Sequence, residues 1–267
     1  MRVKGGGLVL AVVSVARPVA TTTWRPSSEA QCAAEEEDWR SLDDEDSDTL
    51  DALTHATAYL HHHTKWGLSA DEAAAFEASA GGRKAATFGH VTAAGAASIL
   101  RRWPRPRDGV FFDLGSGAGH VVLFGAIIDR DAQFVGVELS RSRCFVAQNA
   151  TADLDAAYPR LALRRRVRFL CEDMLTADVT SAGAVFVSSL ALGDDLRTAL
   201  ANKLRAQCQP GTVVMSSLPL FRGSPDLHAT TDFIAPMSWT AAHTVRAYTL
   251  GSPPNLTTGD GDAPSSL

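Results

Sequence analysis

Asp113, Gly115, Gly117, Gly119 and Glu138 have the types and the spacing to grip a nucleotide. Asp113 ends the apolar run Val110-Phe111-Phe112, and the three glycines follow at alternate positions, with Ser116 between the first two. Glycine in such a turn lets bare peptide groups lie against a ligand and permits conformations that a Cβ forbids. Glu138 stands nineteen residues past Gly119 at the end of a second apolar run, where a carboxylate can accept both hydroxyls of a ribose. Taken singly, the glycines also suit a plain tight turn and the glutamate a solvated strand end; the pairing is what points to a nucleotide. Dinucleotide sites use G-x-G-x-x-G, which needs glycine at 120, and this chain has His120.

The elements that must position these groups are legible around them. The run before Asp113 is short, as a buried parallel strand is, and Val121, Val122, Phe124, Gly125 and Ala126 belong to a helix over 119–129. A strand over 133–139 and a helix over 142–157, with Val146, Ala150, Leu154 and Ala157 on one side, establish a βαβ alternation. A parallel sheet with right-handed crossovers follows. Further strands are predicted over 163–171, 184–187 and 212–217, with a helix from Asp194 to about Gln207. The last elements read as an antiparallel hairpin, Pro236 to Trp239 and Thr244 to Leu250, around Thr240-Ala241-Ala242-His243. Upstream, Leu50, Leu53, Ala56 and Leu60 recur at helical spacing over 49–66. Ser69 caps a second helix over 71–80, and Ala93 to Leu100 is an apolar third.

Composition bounds the remaining possibilities. Net charge is −5, but residues 35–48 carry nine acids and one arginine, a net of −8, so the rest sums to about +3. The acidity is local and marks a solvated segment or a tether for a basic partner. With 45% hydrophobic residues the chain fits one α/β domain with extensions. Its divisions are a leader and acidic segment (1–48), N-terminal helices and a lid (49–108), the ligand-binding domain (109–250) and a Pro, Gly and Ser-rich tail (251–267). Cys32, Cys144, Cys171 and Cys208 are widely spaced, which predicts neither a disulfide framework nor a zinc site; Cys171 and Cys208 read as small buried residues. His61, His62 and His63 are consecutive on a helix and point in different directions, so they do not converge on a metal. Arg2 and Lys4 before the run Leu8 to Ala16 fit a signal peptide, an organellar presequence or a plain leader of a nuclear or cytoplasmic protein, leaving the compartment open. The run is too short to span a membrane.

An acid followed by G-x-G-x-G, with Glu138 downstream, resembles the cofactor motif of class I S-adenosylmethionine-dependent methyltransferases. The resemblance implies a Rossmann-like, seven-stranded, mostly parallel α/β sheet with a terminal antiparallel hairpin and helices on both faces. It implies S-adenosylmethionine as cofactor, and that Asp173 takes the adenine amino group while Met174 packs on the ring. From Glu172-Asp173-Met174 alone, an acid capping the next turn reads equally well. Within the class, residues from about Thr87 to Leu250 are similar to the non-SET histone-lysine methyltransferases of the disruptor of telomeric silencing type. Phe88-Gly89-His90 resembles their Tyr-Gly-Glu lid motif, and Asp113 to Val122 their cofactor motif. Val185 to Gly193 resembles an apolar strand ending in paired asparagines and Phe-Ala-Phe-Gly. Ser216 to Leu220 resembles Ser-Ser-Lys-Pro, and Ser238-Trp239-Thr240 resembles Ser-Trp-Thr. His90 thus replaces a glutamate, Ser188-Ser189 the asparagines and Leu218 a lysine.

This resemblance implies methyl transfer to a protein lysine, with a histone or nucleosome as substrate. The alternatives are a catalytically degenerate cofactor-binding homologue, or a methyltransferase for a non-histone protein or a small molecule. Its implied cofactor residues are Phe88, Asp113, Gly115, Ser116, Gly117, Gly119, Glu138, Asp173, Met174 and Ser188. In-line displacement from a sulfonium asks for alignment and desolvation, with no metal or covalent intermediate. A lysine must first become neutral, from a free pKa of about 10.4, and apolar channel walls promote this. Trp239, Tyr248 and Phe88 are the candidate walls, Ser188 or Ser189 the hydrogen-bonding partner of the nucleophile, and His90 a proton acceptor. Residues 101–107 and 164–168 are the basic stretches able to meet phosphates of a nucleosome.

Overall fold

The computed structural model describes residues 47–64, 68–79, 82, 89–104, 109–221 and 227–251. The leader, most of the acidic run, Phe88, Arg105 to Arg107 and the tail beyond Gly251 lie outside the described residues. Seven strands form one sheet: β1 (Val110–Leu114), β2 (Gln133–Val137), β3 (Val167–Leu170), β4 (Ala182–Val187), β5 (Val213–Ser216), β6 (Leu227–Met237) and β7 (Thr240–Leu250). Their order is β3-β2-β1-β4-β5-β7-β6. The first five strands are parallel, and β7 joins β5 antiparallel with β6 on its far edge. This is the Rossmann-like sheet with a terminal hairpin that the cofactor motif implied.

The strands are apolar on both sides because both faces are covered. One core lies under α1 (Ser47–His63), α3 (Ala93–Leu100), α4 (His120–Ile128) and α5 (Arg141–Ala157), the other under α6 (Asp194–Gln207). Helix α4 is buried from His120 to Ile127, which explains why it is apolar all round rather than on one stripe. A short helix, α2 (Ala70–Ala78), carries a capping box in which Ser69 and Glu72 satisfy each other's backbone. Strand order reverses at β1, flanked by β2 and β4, and such a switch point leaves a crevice at the carboxyl ends of the strands.

Four expectations are corrected. The third strand is only Val167–Leu170, because Leu163–Arg166 forms a helical turn after Ala162, which takes φ 47°. The hairpin strands are each eleven residues long and turn at Ser238-Trp239, with Met237 opposite Thr240; residues 240–243 are strand. Pro236 is tolerated in β6 because this is the sheet edge and the register is irregular between Ala235 and Met237. Trp103, inside the basic stretch 101–107 read as able to meet phosphates, is instead buried against Phe111. Finally, Cys144 and Cys171 form a disulfide, with Cα atoms 5.6 Å apart, and Cys171 is exposed. The βαβ crossover places the first turn of α5 beside the carboxyl end of β3, which residue spacing along the chain does not reveal. Cys208 is free and buried.

Candidate functional site

A cavity of about 460 Å³ opens at the switch point, lined at one end by the glycine turn, Asp113 and Glu138. Its size is that of a small-molecule site. The turn between β1 and α4 is stitched to β2, since Gly115 and Ser116 donate their N–H groups to the Val137 carbonyl at 2.8 and 3.0 Å. Gly117 and Gly119 adopt φ 57° and 92°, the left-handed region that glycine enters without strain. Gly119 begins α4, and a Cβ there would stand 2.6 Å from Phe169 Cζ, so this glycine serves helix–strand packing and does not line the cavity.

Glu138 holds the turn from the other side. One oxygen accepts the Gly117 N–H and the other the Ser140 N–H, both at 2.8 Å. Burial raises its pKa against these bonds and Arg143. Asp113, 3% exposed, is pushed up to about 8 by burial and then by Glu138. Ser116 Oγ is buried and has no hydrogen-bond partner among the described residues. Such a hydroxyl is costly unless something in the cavity meets it. Asp173 caps a turn, one oxygen accepting the Leu175 N–H at 2.9 Å, and it lines the cavity with Met174.

At the other end, β4 runs out into Ser188, and Phe186, Leu190, Leu192 and Trp239 give apolar walls. Leu190 and Trp239 are large hydrophobic groups left exposed, at 42% and 45%. The segment at 89–92 is pinned to the hairpin turn. His90 donates its N–H to Ser238 Oγ and accepts the Ser238 N–H at 2.9 Å, and Val91 bridges to Met237. A Cβ on Gly89 would stand 2.5 Å from Trp239 Cζ3, so glycine is what lets the indole lie on this segment. The His90 ring stacks on His120 with centroids 4.3 Å apart. Burial, then His61, lowers His90 to about 4; burial, His90 and His61 hold His120 well below its ordinary value. Both imidazoles are therefore neutral at pH 7.

Two expected acceptor-end residues lie elsewhere. Ser189 is fully buried and its hydroxyl is engaged with the Leu218 backbone, accepting the N–H at 2.7 Å. Tyr248 packs edge-on against Phe221 in the core under α6, since it faces the opposite side of β7 from Val245 and Ala247. Conversely, sequence reasoning missed Phe76 of α2, Ser79 just past its end, and Arg143 of α5, all of which line the cavity. His120 lines it too, although in the sequence it only marked a failed glycine pattern. Of the basic stretches, Arg166 is engaged with backbone carbonyls, while Arg165 and Arg168 are exposed. No helix among the described residues is long and apolar enough to cross a membrane.

The sequence matches the family described as "histone methylation protein DOT1" over residues 83–246. No curated protein matches it. Among solved structures, the chain is similar to an RNA methyltransferase from Salinibacter ruber in complex with S-adenosyl-L-homocysteine, at 24% identity and TM-score 0.44, covering 59% of this chain and 91% of that one. It is similar to a methyltransferase from Geobacter sulfurreducens, at 11% identity and TM-score 0.46, covering 85% and 91%. Human N-acetylserotonin methyltransferase in complex with SAM is also similar, at 11% identity and TM-score 0.45, covering 75% and 67%.

Proposed function

Because the chain belongs to the DOT1 histone-methylation family, we propose that it methylates a lysine side chain of a protein, with a histone in the nucleosome as the first substrate to test. The observation that supports this reading is the two-ended cavity: a bare-backbone cradle with two acids at one end, and at the other an apolar mouth beside two neutral imidazoles.

S-adenosylmethionine is the cofactor of this fold and family, and the residues present fit it. When bound, it supplies an electrophilic methyl group on a sulfonium. Gly115 and Gly117 would face it with bare backbone, Ser116 with its open hydroxyl, and Asp173 and Met174 from the loop after β3. Glu138 keeps acceptor capacity after taking its two N–H groups, enough for a diol. The rest of the work is alignment and exclusion of water. Phe186, Leu190, Leu192 and Trp239 desolvate an entering ammonium and so favour its neutral form. Ser188 is the hydroxyl at that end able to accept an amine N–H. His90 and His120, neutral at pH 7, repel no cationic side chain, and the burial that keeps them neutral makes both weak proton acceptors.

A transfer assay with radiolabelled methyl donor on nucleosomes, free histones and whole lysate tests the acceptor. Label on protein lysine is expected. Cofactor binding without any labelled protein would overturn the lysine reading and leave a small-molecule acceptor or a degenerate homologue.

Asp113 adds a pH signature. At pH 7 the free protein holds this carboxyl neutral, with its pKa pushed up to about 8. A cationic ligand favours the ionised form, so binding at pH 7 should release up to about one proton, and affinity should rise toward pH 8 and then level off. Calorimetry in two buffers of different ionisation enthalpy measures the release; none at pH 7 would mean that Asp113 does not change its protonation on binding. Stability without ligand runs the opposite way. The unfolded carboxyl ionises near about 3.9, the folded one near 8, so stability should fall as pH rises between them.

A further inference from the structure

Glu72 touches neither the glycine turn nor the cavity, yet its carboxylate joins two helix starts. One oxygen belongs to the capping box of α2, accepting the N–H and the hydroxyl of Ser69, each at 2.9 Å. The other reaches α5, accepting the Ser140 hydroxyl at 2.6 Å and the Ser142 N–H at 2.8 Å. Negative charge at a helix N-terminus is favoured by the exposed N–H groups and the helix dipole, and here one charge serves two helices. Burial opposes the charge, but the hydroxyls of Ser140 and Ser142 and the N–H groups of Ser69 and Ser142 outweigh it, holding the carboxyl well below its usual range.

What this joins is the cavity wall. Ser140, gripped by Glu72 through its hydroxyl, gives its own N–H to Glu138 and caps α5 at Arg143 N. Arg143 lines the cavity and its guanidinium interacts with both Glu138 and Glu72. Phe76, one helical turn beyond Glu72 on the same face of α2, is 5% exposed and lines the cavity with Ser79.

We propose that Glu72 is a positioning residue that latches α2 across the cofactor end of the cavity onto the start of α5, so that cofactor affinity and release depend on a carboxylate that does not touch the cofactor. This rests on the S-adenosylmethionine reading. Binding of S-adenosylmethionine to the full chain, measured by titration calorimetry and by stopped-flow release, tests it. Glu72→Ala should weaken binding about tenfold, the usual size of such couplings, with the loss in faster release. Its melting temperature should stay near the wild-type value, and hydrogen exchange should rise in residues 70–79 but not in 120–128. Glu72→Gln should fall between, because its single amide oxygen can serve Ser69 or Ser140 and Ser142, but not both sets. A Glu72→Ala protein that binds like the wild type, or that melts early while its folded fraction binds normally, overturns the latch. A wild-type chain that binds no S-adenosylmethionine overturns the cofactor reading instead, and the latch with it.

Discussion

Replacing Gly117 by arginine should abolish cofactor binding, with affinity lowered by more than about 100-fold, or about 2.7 kcal/mol. Gly117 adopts φ 57°, its N–H is bonded to Glu138 at 2.8 Å, and it lines the cavity. A side chain there meets two costs. The left-handed backbone costs a non-glycine residue about 1 kcal/mol, too little to unfold the domain. The larger effect is occupation: the arginine would fill the cradle and place its guanidinium against Glu138 and Asp113, the acids set there for the ligand. Gly211→Arg separates the two costs, because Gly211 adopts φ 93° with open space around its Cβ position and lies outside the cavity. Gly211→Arg should bind S-adenosylmethionine like the wild type in calorimetry, whereas Gly117→Arg should show no heat. Near-normal binding by Gly117→Arg would refute the location of the cofactor site.

The parts of the site legible in the sequence are those whose chemistry is local. Asp113, Gly115, Gly117 and Glu138, which line the cavity, could be read because a strand end, a turn and the next strand end fix their positions within one βαβ unit, whereas Gly119 serves packing. Asp173 was named through the resemblance alone, since its local sequence reads as a cap, and it does cap a turn while lining the cavity. Tyr248 failed on parity. Side chains alternate along a strand, so Tyr248 and Ala247 cannot share a face, and which core each one enters is settled only when β7 joins β5. The paired serines divided likewise: Ser188 reaches the cavity, while Ser189, one residue on, is turned to the Leu218 backbone.

What stayed hidden was held by partners far apart in sequence. Glu72 is visible as the fourth member of a capping box, but nothing local says that its second oxygen crosses to Ser140. The disulfide joins Cys144 and Cys171 only because α5 returns along β3. The terminal strands were foreshortened because β6 is an edge strand with a proline in it, and edge strands carry a weak alternation signal. The start of the third strand was misread because Leu163–Arg166 closes a helical turn after Ala162, whose φ is 47°.

Arg166→Ala should destabilise the protein by about 4 kcal/mol, since it strips charge-assisted donors from four buried acceptors. The two terminal nitrogens of Arg166 donate to the carbonyls of Asp129, Ala132, Ala126 and Leu161 at 2.9, 3.1, 2.8 and 2.7 Å. Ala126 lies in the last turn of α4 and Asp129 follows it, so these carbonyls have no partner in the helix, and a cation there also complements the dipole. Ala132 leads into β2 and Leu161 ends the turn before Arg166. One guanidinium therefore ties the far end of the helix that begins at the glycine turn to the next strand and to the start of β3. Arg166 itself ends the helical turn Leu163–Arg166, where the sequence reads as strand. Arg166→Lys should recover less than half of the loss, because a single ammonium cannot span four carbonyls. Urea unfolding with an unchanged slope measures both variants, and the alanine variant should melt about 10 °C lower. Cofactor affinity of the folded fraction should stay near normal, because Arg166 acts on the end of α4 away from the ligand. A loss below about 1 kcal/mol would mean that water satisfies those carbonyls unaided, and the helix would then owe its place to apolar packing alone.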